Sequence, residues 1–120
     1  RPGQGLPLSD DEYDTVVASG EQVTAGLLAL TLRNLGIRAR SWMGWQIPIL
    51  TDDAHGKARI EDIPGDVLGA AVDSGEIAVV PGFQGVTRDG RITTLGRGGS
   101  DTSAVAVAAA LDCACDIYTD

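Results

Sequence analysis

The 120-residue sequence predicts an α/β fold. Three observations carry this reading. Apolar residues recur at helical spacing over about four turns within DDEYDTVVASGEQVTAGLLALTLRNLG. The uninterrupted apolar run Ile77, Ala78, Val79 and Val80 has the form of a strand buried on both faces. Asp89-Gly90 then sits between two β-prone stretches as a hairpin turn, and a glycine-rich loop leads from there into an alanine-rich helix. Sixteen glycines against only five aromatic residues fit small-residue helices and strands joined by tight turns.

Residues 1–13 hold prolines and glycines without periodicity at their start and read as a loop or a poorly ordered end. In the first helix Val23, Leu27 and Leu30, and then Leu28, Leu32 and Leu35, fall three or four residues apart. Ser19 and Gln22 have the S-x-x-Q form of a capping box at its start, and Gly36 supplies the stop. Short strands and loops are expected over 39–45, 47–53 and 57–63, interrupted by Gly44 and Pro48. Pro64 can open a short helix that Gly75 ends. After the strand at 77–80 and the hairpin, a helix is expected over 101–111, and CACDIYTD reads as one more strand. Strand, hairpin, glycine loop, helix and strand in that order form a crossover unit, with ligand expected where the helix begins.

Composition narrows the partners. A net charge of −8 leaves no basic stripe for a phosphate backbone or an acidic membrane surface. Cys113 and Cys115 are one residue apart, unsuited to an ordinary disulfide, which fits a reducing compartment and core packing. No run approaches the roughly 18 apolar residues of a membrane helix and no signal-peptide core is visible, so the expectation is a soluble, cytoplasmic protein. His55, the single histidine, makes no metal-ligand spacing with Cys113 and Cys115, so a turn role is expected and no metal. Trp42 and Trp45 could stack on a purine, but large aromatics on a short strand more often pack in a core or an interface.

The chemistry-bearing stretch is Thr93 to Asp101, TTLGRGGSD. Its glycines allow a backbone to approach a ligand closely, and the N–H groups at the helix start favour an anion. Arg97 adds a two-pronged donor suited to a carboxylate, Ser100 can donate to the same anion, and Asp101 could orient a cation or a reacting group. The plainer reading is a turn capped by Ser100 or Asp101 with Arg97 in solvent. Neither G-x-x-x-x-G-K-[ST] nor G-x-G-x-x-G is present. Glu21 sits beside the expected helix start, where an acid is favourable on its own account, or it receives an amino acid's ammonium to complement Arg97.

Taken together, SGEQVTAGLLALTLRNLGI, GWQIPILTDDAHGKARI, VVPGFQG, TTLGRGGSDTSAVAVAAAL and CDIYTD resemble successive segments of the aspartokinases, in the same order and at similar spacing, from about residue 14 to the end. The resemblance implies the amino-acid-kinase fold, a three-layer α/β/α sandwich incomplete in this chain, with residues 14–120 forming part of a catalytic domain. It implies transfer of phosphate from ATP, with Mg²⁺, to the side-chain carboxylate of L-aspartate, yielding 4-phospho-L-aspartate on the way to lysine, threonine and methionine. Carried over by position, Glu21, Arg97, Gly98, Gly99 and Ser100 would bind aspartate, Asp101 would be the acid at the reaction centre, and Thr119 and Asp120 would begin the nucleotide segment.

The family's K-F-G-G-T-S segment has no counterpart here, and Lys57, the chain's only lysine, lies in HGKARI instead. The expectation is therefore an internal piece of a longer enzyme, inactive alone, whose remainder would supply further ATP contacts and regulatory ACT domains and commonly pairs as a dimer. A catalytically silent domain that only binds a small amino acid or pairs with another subunit, or another carboxylate or carbamate kinase of the same fold, are the alternatives.

Overall fold

Helix α1, Asp11–Asn34, shows why the elements fall where they do in the computed structural model, which describes residues 10–119. Asp10 caps it, its carboxylate accepting from the Glu12 N–H at 2.7 Å, and Asp11, Glu12 and Asp14 place negative charge in the first turn where the helix dipole favours it. Gly36, at φ 81°, closes the other end: its N–H reaches the Arg33 carbonyl and the Ile37 N–H reaches that of Leu32. The helix thus begins well before Ser19, and residues 11–13 are helix rather than loop. Ser19 and Gln22 form no capping box. The Ser19 hydroxyl donates to the Val16 carbonyl and Gln22 bonds elsewhere, because the upstream acids already start the helix.

The expected leucine stripe of α1 is real but faces outward. Val23, Leu27, Leu28, Leu30 and Leu35 are exposed, and Asp14, Ala18, Ala25 and Ala29 form the buried face, since small side chains let the helix lie close to the sheet. By length and composition α1 could cross a membrane, with a mean hydropathy of 1.2 over 18 residues. Interspersed polar residues hide this from a search for an unbroken apolar run. Its buried, hydrogen-bonded Asp14 marks a helix docked on a sheet.

Two sheets lie against this helix. Strand β1, Ala39–Ser41, pairs in parallel with β4, Ile77–Val79, in the register Ala39 to Ile77. The Arg33 guanidinium donates to the Ala39 carbonyl at 2.6 Å, fixing the helix to β1. The apolar run at 77–80 is not buried on both faces as expected: with β1 as its one paired strand among the described residues, Ile77 stays exposed and Ala78 and Val79 are half-buried.

The second sheet has the order β3-β2-β5-β6, built from β2 (Leu50–Thr51), β3 (Ile60–Asp62), β5 (Gln84–Val86) and β6 (Ile92–Thr94). β2 runs parallel to β5, and the other two pairs are antiparallel. The hairpin between β5 and β6 turns at Asp89-Gly90 as expected, with Gly90 at φ 89° and the Thr87 N–H on the Arg91 carbonyl. Gly85 in β5 has no room for a side chain, because a Cβ there would stand 2.6 Å from the Ile49 carbonyl oxygen.

Helix α2, Asp66–Asp73, follows Pro64 and Gly65, and α3, Gly99–Ala110, follows the hairpin. They share a core in which Ile47, Ile49 and Leu68 are buried and Trp42, Val107 and Leu111 pack around them. Trp42 is thus core-packed, as expected, whereas Trp45 is exposed. The final stretch departs most from expectation. Residues 113–119 form no strand and are exposed, including Cys113 and Cys115, because the β-prone run meets no neighbouring strand to complete a ladder. The cysteines are not core residues.

Candidate functional site

The TTLGRGGSD stretch runs from the end of β6 through a turn into α3. Leu95 anchors the turn: its side chain is buried and its N–H donates to the Phe83 carbonyl at 2.8 Å. Gly98 occupies the helix N-cap with φ 77°, a left-handed conformation that a glycine adopts without steric cost. No side chain caps α3, so the plainer alternative, a turn capped by Ser100 or Asp101, does not describe it. A Cβ on Gly99 would come within 2.9 Å of the Leu95 Cβ and 3.1 Å of the Phe83 Cβ, so a side chain there would push the turn away from the Gly82-Phe83 segment.

That segment forms the other wall. Phe83 holds φ 65°, an uncommon conformation for an aromatic residue, with its N–H donating to the Ser103 hydroxyl at 2.9 Å. Gly82 approaches Ser100 so closely that a Cβ on it would lie 3.4 Å from the Ser100 Cα and hydroxyl oxygen. Above the turn opens a cleft of about 460 Å³, lined by residues 95–101 with Gly56 and Phe83. A second cleft of about 760 Å³ adjoins it, sharing Arg97 and Asp101 and bounded by Lys57, Val105 and Ala109.

Polar donors converge on this opening. The Gly99 N–H turns back to Gly96 and that of Thr102 to Gly98, while the Ser100 and Asp101 amides in the first turn of α3 have no backbone acceptor among the described residues. Arg97 is exposed and makes no ion pair among the described residues. A guanidinium beside free helix-start amides suits a carboxylate or a phosphate. Asp101, exposed in the same turn, is the acid of the cleft. Among the described residues no group of three or more His, Cys, Asp or Glu side chains could enclose a metal ion.

Arg97, Gly98, Gly99, Ser100 and Asp101 are therefore brought together. Glu21 is not a lining residue, and since α1 begins at Asp11 it lies in mid-helix, so the expected dipole benefit of a first-turn acid does not apply. Seven residues beyond Asp14, it lies only about 20° around the helix from it, on the sheet-facing side, and yet it is exposed. Thr119 is exposed and lies outside any helix or strand, and it lines neither cleft; Asp120 lies outside the described residues.

Three groups that the sequence did not mark hold the site together. Gln84, 1% exposed, bonds the Ala18 and Gly82 carbonyls, and Gln22 donates to its side-chain oxygen. Asp14, fully buried, accepts from Thr94, Gly56 and His55. Phe83 supplies the wall. A small-residue stripe interrupted by one acid, Asp14-Ala18-Ala25-Ala29, was the available signal for Asp14; nothing local marked Gln84 or Phe83. His55 serves in a turn, as expected.

The model of the amino acid kinase family matches residues 4–120. The chain is 52% identical over 110 residues to an aspartokinase of Rickettsia conorii, covering 91% of this chain and 27% of that protein. It is 55% identical over 113 residues to aspartokinase 2 of Bacillus subtilis, covering 93% of this chain and 28% of the relative. Among solved structures, E. coli aspartokinase III in complex with aspartate and ADP superposes with a TM-score of 0.77 at 30% identity, over 83% of this chain and 23% of that one. The chain thus spans a little over a quarter of the length of these curated relatives.

Proposed function

This chain belongs to the amino acid kinase family, and we infer that the protein carrying it phosphorylates the side-chain carboxylate of L-aspartate with ATP as donor. The observation that carries the reading is the Arg97 guanidinium, without an ion pair among the described residues, set in one cleft beside the Ser100 and Asp101 amides, which have no backbone acceptor there. That cleft holds a carboxylate by a forked cation and a helix start together. Glu21, exposed on the inward face of α1, supplies the opposite charge for the ammonium, so that a zwitterion is gripped at both ends. The relatives named as aspartokinases, and a similar structure solved with aspartate and ADP, support this choice of substrate.

In the reaction, a side-chain carboxylate oxygen of aspartate attacks the γ-phosphorus of ATP. The bond from that phosphorus to the β,γ-bridging oxygen breaks, and 4-phospho-L-aspartate and ADP result. Such transfer depends on alignment and on neutralising charge over the phosphoryl oxygens. The nucleotide enters as its Mg²⁺ complex, and Asp101 offers a carboxylate in the same cleft. Arg97 and the amides of Ser100 and Asp101 orient the acceptor, and Asp101 stands at the reacting end. Gly98 and Gly99 keep the turn free of side chains where the substrate approaches. Thr119 and Asp120 would begin the nucleotide contacts that the rest of a longer chain completes. The product would feed lysine, threonine and methionine synthesis in the cytoplasm, with the full protein working as a homo-oligomer.

Calorimetric titration with L-aspartate, with and without MgATP, tests the reading. Binding that is lost in both Arg97→Ala and Glu21→Ala supports it. Binding unchanged in both, or a preference for glutamate or acetylglutamate over aspartate, rejects it.

A further inference from the structure

Asp14 is the most deeply buried acid among the described residues, with no exposed surface. Its Oδ2 accepts from the His55 Nδ1–H at 2.8 Å, the Thr94 N–H at 3.0 Å and the Gly56 N–H at 3.1 Å, and its Oδ1 accepts from the Thr94 hydroxyl at 2.8 Å. Removing a carboxylate from water is costly unless its oxygens are satisfied, and here four donors satisfy them. The donors come from two segments distant in sequence, the turn at His55-Gly56 and the end of β6. Both border the cleft: Gly56 lines it, and Thr94 immediately precedes its wall at Leu95.

Little slack separates these contacts from the site. The Thr94 carbonyl accepts from the Ala58 N–H at 2.9 Å, and the next residue, Leu95, is pinned to Phe83 at 2.8 Å. Arg97 follows two residues later. On the other side, α1 runs unbroken from Asp14 to Glu21, two turns along the same face. Asp14 is thereby the attachment that ties the helix bearing Glu21 directly to the residue from which the Arg97 turn departs.

We propose that Asp14 is a positioning residue of the aspartate site, acting through His55, Gly56 and Thr94 to set the separation between Glu21 and Arg97. This role rests on the aspartate-kinase reading above. Asp14 touches no substrate itself. Its geometry also singles out a conservative replacement: an asparagine can keep its oxygen at the Oδ2 position, accepting from all three N–H donors, while its amide nitrogen donates to the Thr94 hydroxyl, which can turn to accept.

Steady-state kinetics of the full-length protein carrying this chain, with circular dichroism to verify folding, test the proposal. Asp14→Ala is expected to lower kcat/KM for aspartate by roughly 10- to 100-fold, as a displaced substrate clamp does, with KM for MgATP held within about twofold. Asp14→Asn is expected to recover to within about threefold of the parent. An unchanged aspartate kcat/KM in folded Asp14→Ala overturns the proposal, as does an equal loss in Asp14→Asn or a parallel rise of KM for both substrates. If Asp14→Ala does not fold, Thr94→Val removes only the Oδ1 contact and takes its place: a selective loss toward aspartate supports the role and unchanged kinetics refute it. Arg97→Ala separates the two levels of inference. If it also spares aspartate, the aspartate site itself is misplaced; if it abolishes aspartate use while folded Asp14→Ala or Thr94→Val does not alter it, the positioning role alone fails.

Discussion

Gln22 and Gln84, 62 residues apart in sequence, meet through a 2.9 Å hydrogen bond between their side-chain amides. One lies in the SGEQ stretch of α1 and the other in the GFQG stretch of β5, so the bond joins two of the segments that carry the family resemblance. Gln84 also donates to the Ala18 and Gly82 carbonyls. Gln84→Ala should therefore destabilise the chain by about 2–4 kcal/mol, combining a cavity with carbonyls left unpaired. Gln84→Glu should be worse, because a carboxylate there faces two carbonyl oxygens without a donor to offer. Urea denaturation midpoints rank the three proteins, and a Gln84→Glu variant as stable as the parent would contradict this geometry.

Glycine positions should divide sharply. Gly85→Ala places a methyl group 2.6 Å from a backbone oxygen and should cost about 1–3 kcal/mol or more. Gly26, in mid-helix with open space around it, should gain about 0.5–1 kcal/mol on change to alanine. Thermal melts of the two variants should move in opposite directions.

Arg97→Lys keeps the charge and removes the planar fork. Aspartate binding should weaken by roughly 10-fold or more, with little change in melting temperature because Arg97 is exposed and makes no ion pair among the described residues. Isothermal titration beside a thermal melt separates these effects.

Acid should weaken the junction between α1 and the β5–β6 hairpin. Desolvation pushes the Asp11 carboxyl upward, but the hydrogen bond and charge of the Arg91 guanidinium, 2.8 Å away, together outweigh it and hold the carboxyl below its ordinary value of 3.8. A lowered carboxyl stabilises the fold above its unfolded value and loses that contribution as pH falls below 3.8 through the folded value. The stability difference between the parent and Asp11→Asn should thus be present at neutral pH and shrink toward zero under acid, and be reduced by salt at neutral pH. Denaturation curves at several pH values read it directly.

Cys113 and Cys115 are exposed, so both thiols should react with a chromogenic disulfide reagent in the native chain, without denaturant. Protection of either one would contradict the exposed tail.

How far the sequence disclosed all this depended on whether the cause was local. The hairpin at Asp89-Gly90, the stop at Gly36 and the helix after the glycine loop were legible because turn chemistry sits in adjacent residues. The direction of α1 was not. Leucine spacing reports that a helix is amphipathic, but which face meets the sheet was decided by Ala18, Ala25 and Ala29, whose small size permits close approach. The Arg97 turn was visible as an anion site from its glycines and cation. Its braces at Gln84, Asp14 and Phe83 were not, because each acts across the fold on residues far away in the chain. The run at 113–119 shows the converse: local β-preference without a partner strand yields no strand.

The Asp14 to Thr94 contact spans 80 residues, two-thirds of the chain's length. Contacts that close so long a loop form only after much conformational entropy has been lost, and chains rich in them fold slowly. A partly folded chain can own its helices and its hairpin and still lack a cleft. Ligand capture would then be a late event in folding, and amides at Gly56 and Thr94 should exchange with solvent only in the openings that also release the ligand. Ligand and fold would be thermodynamically linked, so that substrate itself raises the free energy of opening.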